Sequence, residues 1–105
     1  MLSLRTFKNL MSKYGEYDMR LKTYSDPRGR KYFSGFITNS DESMFVYVTT
    51  ESCYNAHCEN KMLVRYARNS KDTTGGINRF VMPQNSAFYI NEMFKAPNRR
   101  DAELC

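Results

Sequence analysis

Residues 3–14 (SLRTFKNLMSKY) put Leu4, Phe7, Leu10, Met11 and Tyr14 on one helical stripe, with Arg5, Lys8, Ser12 and Lys13 opposite. This spacing predicts a helix capped by Ser3 and stopped at Gly15. The period then changes to two. In residues 16–24 (EYDMRLKTY), Tyr17, Met19, Leu21 and Thr23 alternate with Asp18, Arg20, Lys22 and Tyr24, the pattern of a half-buried strand. Asp26-Pro27-Arg28-Gly29 holds the residues a type I turn prefers, and residues 30–38 follow as a second strand. A polar turn at 39–43 (NSDES) leads into a third strand over 44–49 (MFVYVT), rich in aromatic and β-branched residues. Two hairpins in succession predict a three-stranded antiparallel meander.

Residues 50–69 fit either period. As a strand, Met62, Val64 and Tyr66 alternate with Leu63, Arg65 and Ala67; as a helix, Tyr54, Cys58, Met62, Leu63, Tyr66 and Ala67 share a stripe, with Lys61, Arg65 and Arg68 outside. Twenty residues without Gly or Pro, after a capping Thr50, favour the helix. Residues 70–76 read as a loop hinged at Gly75-Gly76, and 77–82 as a short edge strand ended by Pro83. A last helix is expected from Asn85 to Lys95, burying Tyr89, Ile90, Met93 and Phe94. The pattern predicts one α+β domain over 1–97, followed by a polar tail at 98–105. Its antiparallel meander sheet of three to five strands is packed by the N-terminal helix and one or two further helices.

At 105 residues the chain has room for one domain. No stretch reaches 18 apolar residues, and the start MLSLRTFKNLMSK lacks the apolar run of a signal peptide. A cytoplasmic protein with no membrane partner is the expectation. Its three cysteines are an odd number and are expected to be reduced thiols. Cys53, His57, Cys58 and Cys105 hold donors suited to zinc, but Cys-x-x-x-His-Cys is not a zinc-knuckle spacing. On a helix, neighbours such as His57 and Cys58 point about 100° apart. No metal and no cofactor are expected. Cys53 and His57 lie one helical turn apart, yet no third group to orient the imidazole and no oxyanion site is evident. Asp41-Glu42 reads as turn chemistry, and Gly75-Gly76 lacks the Lys of a phosphate loop. The chain is therefore read as a non-enzymatic binding module.

Charge adds a layout. Residues 1–31 carry eight basic and three acidic side chains. Residues 32–60 carry four acidic side chains and no Lys or Arg, and residues 61–105 carry eight basic and four acidic. The net charge of +5 favours an acidic partner, and its first cluster falls on the predicted helix and hairpin. Arg5, Lys8, Lys13, Arg20, Lys22, Arg28, Arg30 and Lys31 are the candidate phosphate contacts for DNA or RNA, with Tyr32, and Tyr24 beside it, as stacking surface. The outer face of 61–71 would extend this surface. The alternative is a protein-interaction module, with an acidic host surface or a second copy as partner. Fifteen aromatics and seven methionines exceed a thin core's needs, and Tyr47, Tyr54, Phe88 or Tyr89 are the candidates to face that partner.

Across residues 3–68, KYFSGFITN followed by MFVYVTTESCYNAHC resembles the passage from sheet to helix in double-stranded-RNA-binding domains and, in part, in the arm-binding domains of tyrosine integrases. The first resemblance implies RNA-duplex binding, although the acidic Thr50-Glu51-Ser52 stands where that family has a Lys-rich helix start. With little Ala and much Asn, Tyr, Lys and Met, the composition also resembles small orphan proteins of bacteriophages. That likeness implies an inhibitor of a host enzyme or defence complex.

Overall fold

The computed structural model describes residues 2–51, 61–72 and 77–95. Helix α1 (Leu4–Ser12) starts where expected: Ser3 is extended and its hydroxyl accepts the Thr6 amide at 3.2 Å. It closes earlier than the glycine suggests. Lys13 stays right-handed while its amide bonds the Leu10 carbonyl and the Tyr14 amide that of Met11, and Gly15 takes no left-handed stop.

Five strands follow: β1 (Asp18–Ser25), β2 (Lys31–Thr38), β3 (Phe45–Thr49), β4 (Met62–Ala67) and β5 (Arg79–Val81). They form one antiparallel sheet in chain order, which leaves β1 as an edge. The expected helix over 50–69 is overturned at 62–67, where β4 pairs with β3 on one side and β5 on the other. All six β4 residues are buried. A strand covered on both faces shows no alternation, and its apolar residues fit a helical stripe equally well. The part of that expectation at 52–60, the hinge at 73–76 and the tail at 98–105 lie outside the described residues.

Both helices pack on one face of the sheet. Phe7 and Met11 of α1, with Ala87, Ile90 and Met93 of α2 (Pro83–Lys95), join Leu21, Phe33, Ile37, Val46, Val48, Met62, Val64 and Tyr66 in the main core. The Phe7 and Phe33 rings meet at 5.2 Å. Pro83 ends the strand segment and also opens α2, two residues before Asn85, because a first helical residue has no amide bond to lose. Tyr89 is exposed rather than core, and Asn91 takes its place inside. Asn91 is satisfied there: the Tyr17 hydroxyl donates to its Oδ1 at 2.5 Å. Burial pushes the Tyr17 phenol above its ordinary pKa.

The opposite face holds a smaller cluster of Phe36, Tyr47, Leu63 and Ala67, flanked by Phe45 and Phe80. Arg65 belongs to this face and is 2% exposed, so it is not the outward cation of the helical reading. Its guanidinium lies 4.7 Å over the Tyr47 ring and donates to the Asp72 carbonyl at 2.7 Å and the Tyr66 carbonyl at 3.3 Å. Tyr47 is likewise buried, not the exposed aromatic expected for a partner surface. Arg68 pairs with the buried Asp72 carboxylate at 3.1 Å. The outer face expected for 61–71 therefore contributes little free charge from these two arginines.

Among the described residues no helix is long and apolar enough to cross a membrane.

Candidate nucleic-acid interface

The ribbon of β1 and β2 depends on a close backbone approach. Gly35 faces Leu21 across the ladder with φ +152°, and a Cβ there would stand 2.1 Å from the Arg20 carbonyl oxygen. At the distal end, the Gly29 amide donates to the Asp26 carbonyl at 2.9 Å, and the Asp26 amide donates to the Arg30 carbonyl at 2.8 Å. Gly29 adopts φ +80°, which only glycine takes without strain. The Asp26 carboxylate accepts the Arg28 and Arg30 amides at 2.9 and 2.8 Å and Arg30 Nε at 3.2 Å. Burial works against its charge. The amide bonds from Arg30 and Arg28, with the Arg30 charge, outweigh that and hold the carboxyl below its usual range. Arg30 is thus partly committed to closing its own turn.

Above that turn, alternation puts Lys22 and Tyr24 on the sheet face away from the helices. Tyr24 is paired with Tyr32, and the rings stack 5.5 Å apart at 24°. Tyr24 is 45% exposed. One of its ring faces lies against Tyr32; on the other side β1 is the sheet edge, with no further strand among the described residues. Lys22 is exposed, as are Arg28 and Lys31 at the tip, and none of the three makes an ion pair among the described residues.

Arg20, two residues before Lys22 on the same face, has a different environment. It bonds Asp18 at 2.9 Å and Glu42 at 2.8 Å and lies 5.8 Å over the Phe45 ring. These carboxylates, Glu42 first, raise its already high pKa. Glu42 sits in the turn between β2 and β3 at φ +56°, held by its amide on the Asn39 carbonyl. Its neighbour Asp41 is kept below its usual range by the Ser43 hydroxyl and amide. The pair is turn chemistry, as expected, but Glu42 also neutralises a predicted site residue. No local signal joins Arg20 to a residue 22 positions away.

The structure therefore brings Lys22, Tyr24, Tyr32, Arg28, Arg30 and Lys31 to one end of the ribbon and leaves Arg20 at the other. Arg5, Lys8 and Lys13 are not joined to it either. Arg5 and Lys8 sit on α1 and Lys13 at its C-cap, and the helix's core residues Phe7 and Met11 face the opposite side of the sheet from Lys22 and Tyr24. Of the aromatics expected at a protein partner, Phe88 is 55% exposed, with its ring 6.4 Å from that of Tyr14, and Tyr89 lies beside it in α2. Tyr54 lies outside the described residues, as do Cys53, His57, Cys58 and Cys105. The described residues contain no cluster of three or more His, Cys, Asp or Glu placed to hold a metal. Comparison of the chain with known protein families, with curated proteins and with solved structures gives no match.

Proposed function

We propose that the protein is a nucleic-acid-binding module that uses the distal end of the β1–β2 ribbon. The observation that carries this reading is the exposed Tyr24 ring stacked on half-buried Tyr32, with Lys22 on the same sheet face and Arg28 and Lys31 at the ribbon's tip. Phosphates gain most from cations that no carboxylate already holds, because each such contact releases a condensed counterion. Aromatic rings beside those cations offer bases a surface that a purely electrostatic patch lacks. The test is retention of labelled DNA and RNA at low and moderate salt, with Lys22, Arg28 and Lys31 changed together to Glu. Arg20 and Arg30 are left intact because both hold the fold's own carboxylates. Three phosphate contacts give a log–log salt slope of about −2 to −3. Retention that is unchanged in the triple variant would rule this reading out.

The second reading, a protein-interaction module, draws on a different surface: Phe88, Tyr14 and Tyr89, exposed along α2 and the end of α1. A stoichiometric protein captured from nuclease-treated lysate and lost on Phe88→Ser would favour it.

A further inference from the structure

Resting on the nucleic-acid reading of this ribbon, we propose that its ligand class is single-stranded nucleic acid, with one base stacked on the outward face of the Tyr24 ring and the adjoining phosphates on Lys22 and, at the tip, Arg28. The ring is oriented by its neighbour: Tyr32 takes one face at 5.5 Å, and the edge position of β1 leaves the other without a covering strand among the described residues. Such a ring gains only from a base whose own face is free. In a duplex that face is already occupied by the next base pair, whereas an unpaired strand offers it at every nucleotide.

Charge along the same face sets the length of the track. From Lys22 to the turn at Asp26 the ribbon runs four residues, about 13 Å at strand rise. Beyond Lys22, Arg20 is bracketed by Asp18 and Glu42, and this triad carries one excess negative charge. A phosphate chain is attracted at the tip and repelled at the Arg20 end, so the footprint is a few nucleotides. The cations of α1 cannot lengthen it, because the sheet lies between them and the Tyr24 face.

The experiment measures anisotropy of a labelled short oligothymidine and of a duplex of equal length, at low salt, against the wild-type chain, Tyr24→Leu, Tyr24→Phe and the Lys22/Arg28/Lys31→Glu triple variant. The single strand is expected to bind about tenfold more tightly than the duplex. Tyr24→Leu is expected to lose about tenfold on the single strand alone, and Tyr24→Phe to keep the wild-type affinity. Intrinsic fluorescence supplies a second readout that needs no variant: the chain has eight Tyr and no Trp, so base stacking quenches tyrosine emission. Quenching by the single strand and not by the duplex at equal occupancy supports the proposal. A duplex bound as tightly as the single strand, or single-strand affinity untouched by Tyr24→Leu but lowered in the triple variant, overturns the stacked-base inference while leaving nucleic-acid binding in place. Absence of binding to either oligonucleotide overturns both.

Discussion

Arg20 and Lys22 stand two residues apart on the same strand and the same face, yet they meet different surroundings. Arg20 closes onto Asp18 and Glu42 and covers Phe45, while Lys22 stands exposed beside the stacked Tyr24 and Tyr32. One end of the ribbon uses its cation to tie β1 to the turn between β2 and β3. The other ends in a turn whose single carboxylate, Asp26, is occupied by Arg30 and two backbone amides, so Arg28 and Lys31 keep their charge. Basic residues on a surface are thus not equivalent; those without a carboxylate partner are the ones available to an anionic ligand.

The largest expected effect comes from breaking the ribbon that joins the two ends. Gly35→Val drives a side chain into the Arg20 carbonyl and is expected to cost about 3 kcal/mol or more in urea unfolding, disordering both ends together. Gly29→Ala, strained at φ +80° but in open space, is expected to cost only about 1 kcal/mol and to loosen the distal end alone. Next comes the contrast between the cations. Arg20→Ala is expected to lower Tm by a few degrees and leave oligonucleotide affinity within twofold, whereas Lys22→Ala leaves Tm unchanged and weakens binding; melting curves and anisotropy on both variants separate the roles.

Acid titration sharpens the comparison further. Asp26 and Asp41 both titrate lower in the folded chain than the ordinary carboxyl near pH 3.9. Their contribution to stability is complete above that value and is lost as pH falls through the lower folded pKa, so the melting point should decline below about pH 4. Asp26→Asn is expected to flatten part of that decline. The smallest effect is at high pH. The raised phenol of Tyr17 contributes fully below about pH 10 and is lost as pH rises through its folded value, and Tyr17→Phe should remove this alkaline loss. A Tyr17→Phe chain that loses stability above pH 10 as steeply as wild type would refute that assignment.

Much of the ribbon was legible because one face of it stays wet. Tyr17 to Lys22 alternate in burial, although Thr23 is exposed with its neighbours; Asp26-Pro27-Arg28-Gly29 turns as its residues prefer, and Ser3 caps the first helix. The residues 62–67 were not legible, because a strand buried on both faces has no polar side to reveal its period. Arg65 added to the difficulty: a charge in a strand interior reads as surface until Tyr47 and the Asp72 carbonyl are seen to receive it. The same holds for α2, where Asn91 is buried and Tyr89 exposed because Tyr17, 74 residues away, supplies the hydrogen bond that makes the amide tolerable inside.

Local composition by itself determined the α+β class, the first two hairpins and the clustering of cations on the first helix and hairpin, since turn chemistry and side-chain period act over a few residues. Which of those cations remain free was decided only in three dimensions. Glu42 reaches Arg20 across 22 positions, and the sheet separates the α1 cations from the Tyr24 face. Ion pairs and hydrogen bonds need contact within about 4 Å, so which charges are already held depends on neighbours that only folding brings close.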